Sequence, residues 1–202
     1  MTTFATLKTD IADYSMRSDL TSIIPTFVRN VESRIRRDVR VRDMEAVSTL
    51  TVSAQTEALP TGFLSLRRIY ASGSPNQPMT YLPPDRFWDS CAATEAGTPV
   101  AFTIEDGNLV FAPYPTSSQS IKINYYKAYD ALSDDADTNW LLTNHYDVYL
   151  FAGVAEAANY VDDNERAQKY DSLYKRAIQE INRYDLLGRF SGPLSRVPRS
   201  AP

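Results

Sequence analysis

The sequence predicts an α+β fold with a helical bundle from the N- and C-terminal helices, an inserted antiparallel β domain and an extended C-terminal arm. Three observations predict it. Apolar residues recur at helical spacing towards both ends, the middle alternates between turn residues, and the last residues are rich in proline and glycine. We therefore assign residues 1–43 and 139–187 to the bundle, residues 44–138 to the β platform and residues 188–202 to the arm.

The N-terminal part predicts two helices. Thr3 is placed to cap a first helix in which Phe4, Leu7 and Ile11 share one face. A second helix begins near Ile24, where a proline is tolerated in the first turn because its missing N–H has no helical partner there. This helix is amphipathic, and its polar side carries the arginines Arg29, Arg34, Arg36, Arg37 and Arg40.

The middle of the chain predicts short strands that pair with their sequence neighbours and are therefore antiparallel. The strongest local signal is Asp106-Gly107, which lies between two alternating runs and is typical of a hairpin turn. Pro84 begins a short predicted helix in which we expect Phe87 and Trp88 to pack inward. The predicted strands cover residues 49–55, 63–70, 79–81, 101–105, 109–112 and 120–126.

The last third predicts a helix over residues 144–160 and another that ends at about Leu187. Small residues in the first helix allow a neighbouring helix to approach closely. The second helix carries an aromatic and apolar seam for a helix of the same fold or of a neighbouring subunit. The seam consists of Tyr170, Tyr174, Ala177, Ile181 and Tyr184. From Gly188 onward, glycine and proline preclude a helix.

Charge and composition narrow the function classes. The net charge of -4 provides no broad basic excess, which argues against a dedicated nucleic-acid binder. The single cysteine, Cys91, excludes an intrachain disulfide and fits assembly in a reducing cytoplasm. The first residues lack a signal-peptide pattern, and no stretch approaches the ~20 apolar residues of a membrane span. We expect production in the host cytoplasm and no membrane partner.

Residues that usually carry catalysis or metal binding are scarce. One histidine, His145, and one cysteine nearly exclude a tetrahedral zinc site, and no glycine-rich phosphate loop is present. The acidic run at residues 134–139 begins like a calcium loop, but Trp140 and Tyr146 replace the glycine and glutamate that such a loop needs. We expect a solvated acidic loop, no cofactor, no metal and no enzymatic activity.

Segments distributed over most of the chain carry a family resemblance. In order, they are residues 6–14, 20–28, 32–45, 59–63, 97–104, 109–115, 121–127 and 132–142. No single motif among them is diagnostic, because they are hydrophobic and turn positions that support a fold. Their order over residues 3–187 resembles podovirus head-to-tail adaptors, nearest the SU10-type adaptor and more distantly the T7-like adaptor.

The resemblance implies a structural protein of the virion neck. Such adaptors form a closed ring, usually twelve-fold, below the portal. The ring conducts phage DNA and is the platform for the tail nozzle and the tail fibres. The implied partners are therefore the portal protein, tail nozzle and tail fibre proteins, and further copies of the chain, with DNA passing through without sequence-specific binding.

Two sets of residues are candidate contacts for such an assembly. The arm combines arginines that no acid opposes with apolar residues that have no core to enter, so we expect it to order along the portal or a neighbouring subunit. Its candidate residues are Arg189, Phe190, Leu194, Arg196, Val197 and Arg199. Candidates for a subunit interface or for the channel are Arg29, Arg36, Arg37, Arg40, Tyr170, Tyr174 and Tyr184.

Other readings of the same residues stay open. The arginine helix over residues 29–42 is typical of a solvated helix face, of a surface that pairs with acids on a neighbouring subunit, or of phosphate contacts. The last of these defines the main alternative function, a nucleic-acid-binding regulatory module. A hydrolase with a carboxylate pair in the sheet is a third class, but no pair is singled out by the sequence.

Overall fold

The computed structural model describes residues 2–73, 75–90 and 95–189. It confirms the α+β fold and divides into two compact units. One unit, called the helical unit below, contains the described residues up to Arg42 and from Tyr129 onward. The other, the β unit, contains those between Asp43 and Ala128. Of the predicted arm, residues 190–202 lie outside the described residues.

Helices account for most of the first unit and strands for most of the second. The described helices are α1 (Phe4–Ser15), α2 (Ile24–Asp38), α3 (Pro84–Ser90), α4 (Trp140–Asn144), α5 (Tyr146–Tyr160) and α6 (Asn164–Arg189). The described strands are β1 (Glu45–Val52), β2 (Thr56–Ala58), β3 (Phe63–Ala71), β4 (Gln77–Pro78), β5 (Thr80–Tyr81), β6 (Ala101–Glu105), β7 (Asn108–Ala112) and β8 (Gln119–Lys127).

The N-terminal helices begin and end as their sequences predict. The hydroxyl of Thr3 accepts a hydrogen bond from the backbone N–H of Thr6, which caps α1. Met16 follows α1 in the left-handed conformation, with a φ of 54°, and so terminates it. Helix α2 has its proline in the first turn and buries Ile24, Phe27, Val28, Val31 and Ile35 on one side.

Helix α5 lies at the centre of the helical unit, where α1, α2, α4 and α6 all pack against it. Its small residues allow this close packing. A Cβ placed on Gly153 would lie 2.4 Å from Cδ1 of Ile11, so α1 approaches α5 more closely than an alanine would permit. The predicted use of small residues for close helix packing is therefore confirmed at Gly153.

The predicted helix over residues 144–160 is confirmed as α5 except at its start, because two helices, α4 and α5, meet there. Asn139, not Asn144, caps the first of them, since its side-chain oxygen accepts a hydrogen bond from the N–H of Leu142 at 2.8 Å. Asn144 is the last residue of α4, and His145 separates α4 from α5. An asparagine capping signal five residues earlier therefore determines where the helical region begins.

The segment before α4 belongs to the helical unit, whereas the sequence placed residues up to 138 in the β platform. The backbone N–H groups of Phe4 and Ala5, at the start of α1, donate to the carbonyl oxygens of Asp137 and Asp135. These N–H groups have no partner within their own helix, so the loop supplies what the first turn lacks. The difference in boundary follows from this long-range pairing, which no local pattern indicates.

The β unit consists of two four-stranded sheets, in the orders β1-β8-β3-β4 and β2-β7-β6-β5. All neighbours are antiparallel except β5 and β6, which run parallel, so the prediction of a purely antiparallel sheet is wrong at this edge. The chain leaves β5, forms α3 and only then enters β6, and a crossover of this length permits the parallel arrangement.

The predicted hairpin at Asp106-Gly107 is confirmed. Strands β6 and β7 pair in register, with Glu105 opposite Asn108. Asp106 and Gly107 both have positive φ, at 46° and 72°, which is the backbone twist that a two-residue hairpin requires.

The two sheets share one apolar core, and α3 covers the opposite side of the second sheet. The core contains Val52, Ile69, Met79, Phe102, Leu109, Phe111, Ile121, Ile123 and Tyr125. On the far side of the second sheet, Phe87 packs against Val110 and Ala112. Trp88 was also expected to pack inward, but it is 50% exposed. Adjacent helix residues point in different directions, so only one of the two rings can face the sheet.

Candidate interaction surfaces

The arginine side of α2 is only partly free for a partner. Arg29, Arg36 and Arg37 are exposed. Arg40 is half-buried, and its guanidinium donates hydrogen bonds to the carbonyl oxygens of Arg36 at 2.5 Å and Val39 at 2.6 Å. Arg40 lies just beyond α2 and therefore satisfies backbone acceptors at the end of that helix. Arg29, Arg36 and Arg37 form the exposed basic surface of α2.

Arg34, which the sequence did not single out, joins three helices inside the helical unit. Its guanidinium donates to Asp171 of α6 at 2.6 Å and lies 3.9 Å from a carboxylate oxygen of Glu156 on α5. It also lies over the ring of Tyr174, 4.4 Å from the centroid. Burial raises the pKa of Asp171, but the hydrogen bonds from Lys175 and Arg34 outweigh burial, so that this pKa is lowered overall.

The aromatic seam of α6 divides between the interior and the surface. Tyr174 is 1% exposed, and its hydroxyl donates to Asp38 at 2.8 Å. Tyr170 is half-buried beside Phe151, whereas Tyr184 is 73% exposed. The prediction that Tyr174 contacts a neighbouring subunit is therefore wrong. Tyr174 packs within its own bundle, because α2 and α5 cover this part of the seam.

The end of α6 presents apolar side chains to solvent. Tyr184, Leu186 and Leu187 are 73%, 55% and 58% exposed. The helix continues through Gly188 to Arg189, so the predicted end at Leu187 and start of the arm at residue 188 are two residues early. A glycine in the last turn costs only about 1 kcal/mol, which does not end a helix by itself. The other arm candidates, from Phe190 to Arg199, lie outside the described residues.

A buried carboxylate, also missed by the sequence, holds the loop before α4 to α2. Glu32 is buried and accepts a hydrogen bond from the N–H of Leu132 at 2.9 Å. Burial raises the pKa of Glu32, opposed by that hydrogen bond and by the charge of Arg36. The only signal in the sequence was a charged residue on the apolar side of an amphipathic helix.

The polar side chains of the groove beside α1 and of the acidic loop pair with one another. A groove of about 630 Å³ beside α1 contains Lys8, Arg17 and Asp135, but Lys8 pairs with Asp135 and Arg17 with Asp19. In the acidic loop, the carboxylate of Asp137 accepts hydrogen bonds from Ser133 and Asp134, which lower its pKa.

Within the described ranges, no three His, Cys, Asp or Glu side chains are grouped to hold a metal ion. None of the helices described is long and apolar enough to cross a membrane. His145 stacks edge-on against Trp140, with ring centroids 5.3 Å apart, in a structural position between α4 and α5.

The chain matches a known protein family. The family model described as SU10 adaptor protein matches residues 2–197, which includes both units and extends further into the arm than the resemblance seen in the sequence. No curated protein matches the chain. Because the family model covers nearly the whole chain, the protein belongs to the SU10 adaptor protein family, a family of phage adaptors.

Proposed function

We propose that the protein is a head-to-tail adaptor that forms a ring between the portal and the tail nozzle of a phage. The observation that carries this proposal is the family match over residues 2–197, since a match of that length includes the helical unit and the β unit together. The ring, twelve-fold by resemblance, conducts DNA and provides the platform for the nozzle and tail fibre proteins. Subunits are made in the host cytoplasm and end in the virion neck.

We assign different tasks to the parts of the chain. Residues 4–40 and 144–187 build the ring, and the β platform faces outward or towards the tail. The exposed arginines Arg29, Arg36 and Arg37 support a ring surface on α2, because cations that stay in solvent are available to pair with acids of a neighbour.

The arm is proposed to dock on the portal or a neighbouring subunit. Support comes from the exposed apolar side chains at the end of α6, which lead directly into it. Phe190, Leu194 and Val197 continue this apolar character, and three arginines, Arg189, Arg196 and Arg199, add charge. The prolines Pro193, Pro198 and Pro202 restrict φ, which reduces the conformational entropy that such a segment loses when it orders on a partner.

The same proposal requires that DNA passes without adhering. The net charge of -4 opposes strong phosphate binding, so we expect weak affinity at physiological salt. The competing function, a nucleic-acid-binding regulatory module, is supported by the exposed Arg29, Arg36 and Arg37 on one helix. Measuring DNA affinity by fluorescence anisotropy separates the two, and a sub-micromolar, steeply salt-dependent dissociation constant for a short duplex would favour the regulator.

Portal binding is the experiment that tests the adaptor function. We would titrate the portal ring of the same phage with the full chain and with a chain that ends at Arg189, and follow the mass of the complex by sedimentation velocity. The full chain should saturate the portal, and the shortened chain should stay folded but bind at least about tenfold more weakly. Failure of the full chain to bind would refute the adaptor function. Equal binding by both chains would refute the role of the arm.

A further inference from the structure

The β unit has a cationic outer face on the sheet β1-β8-β3-β4. Side chains alternate along a strand, and Ile69, Ile121 and Ile123 point into the core between the sheets. Their neighbours therefore point to the opposite side. This side, called the cationic face below, carries Arg68 and Lys122, with Glu45 as the carboxylate on the same side. Arg67 also belongs to it: it lies at a register irregularity between Leu66 and Arg68 and pairs with Glu45.

Aromatic rings hold the cations of this face in place. Arg67 pairs with Glu45 and lies over Tyr126, 5.5 Å from the ring centroid. Arg68 lies over Tyr70 at 5.2 Å and is exposed. Because Arg67 already has a carboxylate partner, Arg68 and Lys122 carry the excess charge that a partner would meet.

The opposite side of the same unit is acidic. Helix α3 covers the second sheet there, and its residues Asp85 and Asp89 are exposed, with Glu105 and Asp106 at the nearby hairpin. Arg86 is the cation among them. This side, called the acidic face below, therefore has a net negative charge, while the cationic face across the shared core has a net positive one.

A fixed aromatic ring stands on the acidic face. Trp88 is 50% exposed, yet its indole N–H donates to the carboxylate of Glu105 at 2.9 Å. Its ring also packs edge-on against the buried Phe87, with centroids 5.3 Å apart. A large ring that is exposed but held in one orientation loses little entropy on binding, which is typical of the residues that anchor interfaces.

We propose that the cationic face of one copy docks on the acidic face of the next copy, with Arg68 stacked on Trp88 between Asp85 and Asp89. The occupant is a second copy of this chain, because the two faces have opposite charge and belong to the same unit. Since they lie on opposite sides of that unit, the contact is head-to-tail, the type that generates rings. This inference rests on the proposed ring and adds a contact between neighbouring β units to the ring surface proposed on the helical unit.

Paired charge reversals test this contact, because two variants that each fail alone should restore loading when they are combined. One variant reverses the cationic face (Arg68→Glu with Lys122→Glu), and the other reverses the acidic face (Asp85→Lys with Asp89→Lys). Each variant alone should load onto the portal at least about tenfold more weakly than the unchanged chain, since like charges then meet. An equal mixture should regain loading, because every contact between alternating variants pairs opposite charges.

A chain that carries all four reversals should also load onto the portal, because its two faces again have opposite charge. It provides a second test of rescue. The matched control, Ser53→Glu, Thr61→Glu, Ser117→Glu and Ser118→Glu together, makes the same net charge change as the cationic-face variant. These exposed positions lie in turns that connect the two sheets, outside both faces, so the control should load normally. Arg68, Asp85 and Asp89 are exposed and Lys122 is half-buried, and circular dichroism checks that each variant is folded.

Each outcome decides the inference separately from the adaptor function. Normal loading by either single variant, or no rescue in the mixture and the fourfold variant, would overturn the face-to-face contact while the adaptor function stands. If the unchanged chain fails to load, the adaptor function fails. Sedimentation equilibrium without the portal then decides the contact between copies: the mixture of the two variants should associate more tightly than either variant by itself. Loss of duplex DNA binding by the first variant, with normal loading, would assign the cationic face to nucleic acid instead.

Discussion

Gly153→Ala tests the close packing of α1 on α5. The new Cβ would lie 2.4 Å from Cδ1 and 3.0 Å from Cγ1 of Ile11, which is completely buried and has no space to move into. Overpacking of a core costs about 1–3 kcal/mol, and such a short contact belongs in the upper half of that range. Alanine offsets about 1 kcal/mol by its helix propensity. We expect a net loss of about 1–2 kcal/mol in the free energy of unfolding.

Ile11→Val provides the control, because it removes Cδ1. Alone it should cost about 0.5–1.5 kcal/mol. In its presence, Gly153→Ala meets only the contact at 3.0 Å and should be neutral or stabilising by up to about 1 kcal/mol. Urea denaturation of the four chains gives the double-mutant cycle. The reasoning is refuted if Gly153→Ala is not destabilising alone, or if its effect is the same in both backgrounds.

Substitutions at three further positions have defined outcomes. Glu32→Ala leaves the N–H of Leu132 without its acceptor and should cost about 1–3 kcal/mol in urea denaturation. Glu32→Gln keeps an acceptor for this N–H. Because the pKa of Glu32 is raised in the folded chain, the unchanged protein loses stability as the pH rises through that pKa. The free energy of unfolding of the variant should therefore increase relative to that of the unchanged protein between about pH 4 and pH 7. A constant difference over this range would contradict the burial of an ionised carboxylate. Asp171→Asn should show the opposite trend, because the lowered pKa of Asp171 stabilises the folded chain above the ordinary carboxyl pKa and this stabilisation is lost in acid. The variant should lose up to about 1 kcal/mol in the free energy of unfolding near pH 7, and less below about pH 4. An unchanged urea midpoint at both pH values would count against the ion pair with Arg34. Gly107→Ala should lower the thermal unfolding midpoint by the equivalent of about 1–2 kcal/mol although its surroundings are open, because its φ is positive; an unchanged midpoint would show that the turn adapts.

Local signals in the sequence were sufficient where the structure depends on neighbouring residues. The cap at Thr3, the start of α2 at Ile24 and the hairpin at Asp106-Gly107 each depend on a backbone group within a few residues. These elements were predicted correctly for that reason. The parallel pairing of β5 with β6 was missed because it depends on how α3 returns the chain to the sheet.

The residues that contact distant parts of the chain were predicted least well. Tyr174 and Arg40 were assigned to an interface by type and spacing. Tyr174, however, is covered by other helices, and Arg40 donates to the carbonyl oxygens at the end of α2. Arg34 and Glu32 were given no structural role, since their partners lie about one hundred residues or more away in sequence. The exposure of Trp88 likewise depends on which side of α3 faces the sheet.

Electron microscopy of the portal mixed with this protein tests the central claim most directly. The adaptor function predicts a second symmetric ring stacked on the portal, with density for one helical unit and one β unit in each repeat, and no such ring with either component alone. Portal rings that remain bare at saturating protein would contradict the claim, and the arginines Arg29, Arg36 and Arg37 of α2 would then be tested against DNA.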